Sequence, residues 1–483
     1  MSSQSLKNKA IKGVLWSAVD KLAVRAISFA VSIIIARILS PDDYGIIGMI
    51  AIFMALSSML VDSGFSQALV QKHDRSQTDF STAFFFNIIV GIGCYIIIFA
   101  IAPLVGEFYN SPTLIPILRV LGLTIIINSL CTVQRANLLI KIDFKTTAKI
   151  NVLSLILSGT VGIWLAYAGF GVWALVFQSI TQQTATTIFL WLFGRWRPTA
   201  EFSKQALKRL FGFGSKLLVA SSVATVMREV YSVVIGKFYL AAQLGFYTRA
   251  VQTTDLVSGT VNEVINSVTF PLLSSMQQER ERMIKAYSKM LSMTALIIFP
   301  IMTLLAVVAS PLVEVLLTEK WMPAVPLLQW LCFARMFTPI SSLNMNILNA
   351  IGRSDLFMKL DLSKMPLTIV MMIITLPISV EAVVIGNFIA TFICYFINAY
   401  LPGKLFGFGV TAQFKIFWKI IIATAVMAIL TIGVMYYIDN SLIKLIVGCC
   451  SGVVFYYLCG KAIRISELKE VEKIIINILK KRS

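Results

Sequence analysis

Apolar residues recur along this chain in stretches of about 20, each long enough as a helix to cross a bilayer core of ~30 Å. Short polar segments rich in lysine and arginine separate them. Spans are read near residues 13–38, 44–65, 80–105, 113–133, 148–168, 170–194, 211–236, 247–273, 286–309, 323–348, 360–379, 381–402, 413–437 and 441–462. Period-two alternation is absent. Backbone groups in hydrocarbon must be satisfied within a segment, so helices are expected. The pattern predicts an all-α polytopic membrane protein of about 14 transmembrane helices.

Composition agrees. Of 483 residues, 58% are hydrophobic and 13% charged. Soluble domains carry roughly 25% charged residues, so this chain needs lipid to cover its surface. The net charge is +19, which raises nucleic acid as a partner, but the placement of the charge argues against it. With the N-terminus inside, 31 of the 42 lysines and arginines fall in inner segments, 5 in outer ones and 6 within spans. That alternating bias predicts cytoplasmic termini and a basic rim facing anionic headgroups. The N-terminus lacks a cleavable signal pattern. The tail after residue 464 has apolar residues at helical spacing among lysines, as an amphipathic helix on the inner surface would.

Cys94, Cys131, Cys332, Cys394, Cys449, Cys450 and Cys459 lie in apolar stretches without metal-ligand spacing, and the one histidine is His73. A zinc or histidine-based catalytic site is not expected, and no cofactor is called for.

The chain repeats itself. Arg37, Tyr44 and Gly45 fall on Lys237, Leu244 and Gly245 at an offset of 200. Pro116 then falls near Pro326, Lys141-Ile142-Asp143 near Arg353-Ser354-Asp355, and the stretch from Val172 near that from Val380. Each repeat holds an even number of spans, so both halves enter from the same side, related by an axis along the membrane normal. The expected organisation is an N-terminal six-helix bundle at 1–195, a cytoplasmic linker at 196–209 and a second six-helix bundle at 210–403. Two extra spans follow at 404–463, then a basic amphipathic tail at 464–483.

Charges inside spans cost roughly 2.5–3.5 kcal/mol each and persist where they face a cavity. In the first span Lys21, Arg25, Ser28 and Ser32 share a helix face, with Asp20 beside them. The seventh span carries Ser221, Thr225, Arg228 and Ser232 at the same positions plus 200, with Glu229 adjacent. Ser58 and Asp62 in the second span match Ser258 and Asn262 in the eighth, which also carries Asp255, Glu263 and Asn266. Four polar helix faces are therefore expected to line a central cavity, with Lys216 and Arg335 adding charge. The structural alternatives are snorkelling of Asp20 and Lys21 to the interface and a local Arg228–Glu229 pair. Lys21, Arg25 and Arg228 suit a phosphate-type anion, since arginine offers it a planar fork. Asp62, Asp255 and Glu263 suit a proton or sodium ion as coupling species. Ser28, Thr225 and Asn262 suit sugar hydroxyls.

Certain segments resemble a known family. The opening KGVLWSAVDKLAVRAISFAVSIIIARILSPDDYGIIGM, with Trp16 and the turn from Ala36 to Gly45, is similar to the start of Wzx/WzxC-type polysaccharide transporters in the MOP exporter superfamily. So are Asp62-Ser-Gly64-Phe-Ser-Gln-Ala-Leu69, Val234 to Phe238, Leu244 to Ala250 and Gly169 to Val176. The resemblance covers about residues 8–400 and fades over the last two spans. It implies a flippase for undecaprenyl-diphosphate-linked oligosaccharides of O-antigen, lipopolysaccharide, capsule or exopolysaccharide. The implied location is the bacterial inner membrane, and the implied fold is two six-helix bundles around a central cavity, with cavity arginines near the diphosphate and alternating access. The implied partners are the lipid-linked oligosaccharide, membrane lipids and, in the same assembly line, polysaccharide polymerase and chain-length machinery. A drug or metabolite exporter of the same superfamily is the alternative. A membrane-embedded glycosyltransferase or polymerase would need a catalytic loop that the short loops leave no room for.

Overall fold

The computed structural model describes residues 21, 23–62, 69–70, 72, 74–194 and 196–480, without the side chains of 210, 212–217, 219–220, 354 and 474–480. Trp16, Asp20, Gly64, His73 and the side chain of Lys216 lie outside the described residues.

Helix follows helix throughout. The first, α1, covers 23–38. Then come α2 Pro41–Asp62, α3 Gln77–Phe108, α4 Leu114–Ser129, α5 Thr132–Ile140, α6 Phe144–Tyr167, α7 Val172–Phe193, α8 Lys204–Phe238 and α9 Ala241–Ser275. The rest are α10 Arg280–Val307, α11 Ala309–Leu317, α12 Ala324–Met336, α13 Thr338–Ala350, α14 Ser354–Thr375, α15 Val380–Phe406, α16 Val410–Tyr436, α17 Ser441–Ala462 and α18 Ser466–Lys480. Among the described residues, the expected spans fall on helices or broken pairs of helices. Among the described residues, eight of these segments (α2, α3, α4–α5, α6, α10, α15, α16 and α17) are long and apolar enough to cross a membrane. Large aliphatic side chains such as Ile96, Ile97, Ile373 and Ile432 stand exposed, as lipid-facing residues do.

The chain forms two compact units, Met1–Gly245 and Phe246–Ser483. The linker expected at 196–209 divides repeats and lies inside the first compact unit. The seventh helix, α8, packs on α2 and belongs to the first unit.

Within that unit the repeat-related turns meet. Ser40 caps α2: its amide donates to Asp43 Oδ2 at 2.9 Å, and the Asp43 amide donates back to Ser40 Oγ at 3.3 Å, a reciprocal cap that satisfies two otherwise orphaned donors. Two hundred residues on, the Leu240 amide donates to Gln243 Oε1 at 3.3 Å. A Cβ on Gly45 would lie 1.8 Å from the Ala241 carbonyl oxygen, and one on Gly245 would lie 1.9 Å from that of Pro41. Only glycine permits this mutual backbone approach.

Two helices are broken mid-course, and side chains repair both breaks. Between α4 and α5, Thr187 Oγ1 donates to the Ile127 carbonyl at 3.2 Å and Trp191 Nε1 to that of Leu130 at 3.0 Å. Between α12 and α13, Pro339 has no N–H for the Arg335 carbonyl one turn back, and Ser258 Oγ donates to that carbonyl instead, at 2.9 Å. Hydrocarbon offers no water to do this, so a neighbouring helix must.

The second unit has a polar knot at its centre. Tyr287 donates to Asn344 Oδ1, Gln413 Nε2 donates to the same oxygen at 3.1 Å, and Tyr395 donates to Gln413 Oε1 at 3.0 Å. All four residues are fully buried. The knot locks α16, the first of the two extra spans, to α10, α13 and α15. The tail helix α18 docks on α10 and α17 through its acids: Glu470 pairs with Lys289 at 2.6 Å, Glu472 accepts from Tyr457 at 2.6 Å, and Glu467 accepts from Ser292.

Candidate functional site

Six of the nine candidate residues lie in the first unit. Lys21 is exposed, and Arg25 and Ser28 are half-buried on α1. Thr225 on α8 is buried and turns its hydroxyl to Met59 Sδ of α2 at 3.8 Å. Arg228 is 66% exposed and contacts Glu229 Oε1 at 3.1 Å. The local pairing anticipated for Arg228 is therefore present. An exposed pair of this kind is worth roughly 0–1 kcal/mol, so it leaves the guanidinium available to a stronger anion.

Asp62 ends α2 with its side chain exposed, although helices crowd round it. Asn128 of α4 and Thr132 of α5 lie beside it, the Thr132 hydroxyl donating to the Asn128 carbonyl at 3.0 Å, and Arg135 of α5 supplies opposing charge. Asn128 is buried and accepts from Gln183 Nε2 at 3.1 Å and from Arg135 Nη1 at 3.4 Å. The broken helix thus turns Asn128, Thr132 and Arg135 toward Asp62.

Sequence reading missed this cluster. Arg135 falls just beyond the span expected at 113–133, among the basic residues of the inner segments, yet it sits in α5 on the wall of a cavity of about 520 Å³ with Thr147, Asn151 and Gln182. The signal was present: Gln182-Gln183 interrupts an apolar span, as Arg25 and Arg228 do in theirs.

The other three candidates lie in the second unit. Asp255 of α9 meets Arg335 of α12 at 2.8 Å, a contact of charges without an aligned N–H. Asn262 Oδ1 is buried and has no hydrogen-bond partner. Glu263 is half-buried. Asn266, further along the same face, accepts from Asn346 Nδ2 at 2.6 Å. This stripe therefore faces α12 and α13. A cavity of this unit, about 460 Å³, is lined mainly by hydrocarbon and ring faces, those of Phe299, Phe333, Phe337, Phe392 and Phe417 among them, with Thr303, Tyr395 and Thr424 as its polar members.

Long apolar helices, internally repaired breaks and retained charges define an all-helical, multi-pass membrane protein. Its fold is similar to that of the lipid II flippase MurJ in an inward closed conformation, with a TM-score of 0.74 over 93% of this chain and 99% of that one at 13% identity. Among curated proteins it is similar to the teichuronic acid biosynthesis protein TuaB of Bacillus subtilis, 24% identical over 73% of each chain. It is similar also to the lipopolysaccharide biosynthesis protein WzxC of Escherichia coli, 24% identical over 74% of each. Residues 34–326 match the model of the polysaccharide biosynthesis protein family, and the chain belongs to that family.

Proposed function

We propose that this protein flips an undecaprenyl-diphosphate-linked oligosaccharide from the cytoplasmic to the periplasmic leaflet of the bacterial inner membrane by alternating access. The observation that carries this reading is the presence of Arg25, Arg228 and Asp62, all partly or largely accessible, on helices read as membrane spans. Such charges cost several kcal/mol in lipid unless they serve a polar path.

In this reading Lys21, Arg25 and Arg228 hold the diphosphate. Ser28, Thr225 and Asn262 meet sugar hydroxyls. The polyprenyl chain stays in hydrocarbon. Asp62, with Asn128 and Thr132 beside it, takes a proton or a sodium ion as the coupling species, and Asp255 and Glu263 are the secondary candidates. Two six-helix repeats and two further spans, about 14 in all, carry the path. Both termini are cytoplasmic, which puts α18 at the inner surface. No bond forms or breaks, so the protein lowers only the cost of carrying charge and hydroxyls through the bilayer. Polymerase and chain-length proteins are the expected recipients of the flipped substrate. A drug exporter for organic cations would want an acidic cavity, which Arg25 and Arg228 disfavour.

Deleting the protein tests the reading. Lipid-linked oligosaccharide should accumulate on the cytoplasmic face, and purified protein in liposomes should restore its passage. Undiminished surface glycan in the deletion strain, with no flipping in liposomes, would refute it.

A further inference from the structure

We propose that the cavity lined by α5, α6 and α7, with Val24 of α1, in the first unit is a loading site for a phosphorylated sugar headgroup, with Arg135 as its anion contact. The inference rests on the flippase reading and gives it a second, earlier binding position.

The volume, about 520 Å³, lies within the ~300–1,000 Å³ typical of small-molecule sites. Its wall has two characters. Leu138, Phe144 and Ile150 supply an apolar side, while Thr147, Asn151 and Gln182 supply hydroxyl and amide groups. That mixture suits a sugar ring, which shows C–H on its faces and hydroxyls on its rim. Arg135 is exposed on this wall. Among the described residues its guanidinium makes one hydrogen bond, to Asn128 Oδ1, and that is long at 3.4 Å. A guanidinium has five donors in a rigid fork, so most of them remain for a phosphate.

Neighbouring charge favours an anion. Lys141, Lys145 and Lys149 are exposed on the segment that leads into and forms the α6 wall. The acid closest in sequence, Asp143, is occupied at the start of α6, where it accepts from the Thr146 amide at 3.1 Å and the Thr146 hydroxyl at 2.8 Å. Asp62 is set against Arg135. It does not close an ion pair with it, so it weakens the site without filling it. The electrostatic signs are therefore opposite: loss of Arg135 weakens anion binding, and neutralising Asp62 strengthens it.

Binding to the purified full-length protein in neutral-lipid nanodiscs tests this with three probes: polyprenyl-diphosphate hexose, soluble hexose 1-phosphate and phosphatidylglycerol. Arg135→Ala should weaken both sugar probes by about tenfold or more, as expected for a charged hydrogen-bonded contact. Arg135→Lys should recover part of the loss. Gln182→Leu should weaken the sugar probes, and Asp62→Asn should tighten them. Thermal stability of each variant reports folding, and Asp62→Asn gives a reading even if Arg135→Ala fails to fold. If the wild type binds polyprenyl-diphosphate hexose and every variant binds it equally, the loading site is overturned while the flippase reading stands. If hexose 1-phosphate binds through Arg135 but the lipid-linked probe does not bind at all, the site stands and the flippase reading falls. Equal binding of phosphatidylglycerol and the sugar probes would overturn the site as a sugar-phosphate pocket.

Discussion

Each unit sets an arginine beside a broken helix and an acid across from it, and the two units treat the pair differently. In the first, Arg135 donates to Asn128 and Asp62 lies near both without closing an ion pair, beside a cavity with polar groups on one of its sides. In the second, Asp255 meets Arg335 at 2.8 Å, and the neighbouring cavity is walled by phenylalanines. The second unit also buries its Tyr287–Asn344–Gln413–Tyr395 knot completely. Polar groups that satisfy one another stabilise a fold and specify it. Polar groups left partly unsatisfied and accessible are available to a ligand. In the proposed function the first unit is accordingly the one that meets the charged part of the substrate, while the second spends more of its buried polar groups on one another, although Asn344 Nδ2 in the knot and Asn262 Oδ1 have no partner.

That contrast can be broken by mutation, and the largest effect is expected on transport. Arg25→Ala combined with Arg228→Ala should abolish surface glycan export while membrane insertion and thermal stability stay near wild type. Normal export from the double variant would reduce the polar faces of α1 and α8 to a structural role. The largest stability effect belongs to the second unit. Gln413→Leu removes the Nε2 donations to Asn344 Oδ1, the Tyr287 hydroxyl and the Phe408 carbonyl, and strands the Tyr395 hydroxyl in the core, at about 1–3 kcal/mol per orphaned group. A marked drop in unfolding temperature should follow, and an unchanged melting curve would show the knot to be replaceable.

Asp255→Asn leaves Arg335, whose side chain is 26% exposed, without its partner. The expected cost is about 1–2 kcal/mol, below the 3–5 kcal/mol of a fully buried pair. Asp62→Asn should cost less than about 0.5 kcal/mol, the usual range for accessible sites, and should change the response of export to a proton or sodium gradient. Equal destabilisation by the two substitutions would erase the distinction between the units.

The smallest effect concerns the tail. Burial raises the Glu467 carboxyl, but hydrogen bonds from Ser292 and Ser466 outweigh it and hold the group below the usual carboxylate range. A depressed acid stabilises docking above its undocked titration range, and that stabilisation is lost as pH falls through the docked value. Proteolysis of α18 should accordingly quicken as the pH drops below about 4, near the ordinary carboxylate value. An acid-insensitive cleavage rate would show that Glu467 does not hold the tail.

The sequence by itself determined the helices and their order, because a chain with so few charges must bury its backbone bonds within apolar segments. The offset of 200 between the turns at Gly45 and Gly245 was also written there. Their interlocking was not, since it depends on a carbonyl from one turn lying where the other would need a Cβ. Arg25, Arg228 and Asp62 were legible as charges inside spans. Arg135 was not, because a residue near a span's end looks like a loop residue until the break at residues 130–131 shows where the helix turns. Hydropathy along one dimension tells which side chains avoid lipid. Only the tertiary packing decides whether such a group spends its hydrogen bonds on a neighbour, as Gln413 does, or holds them toward an open cavity, as Arg135 does.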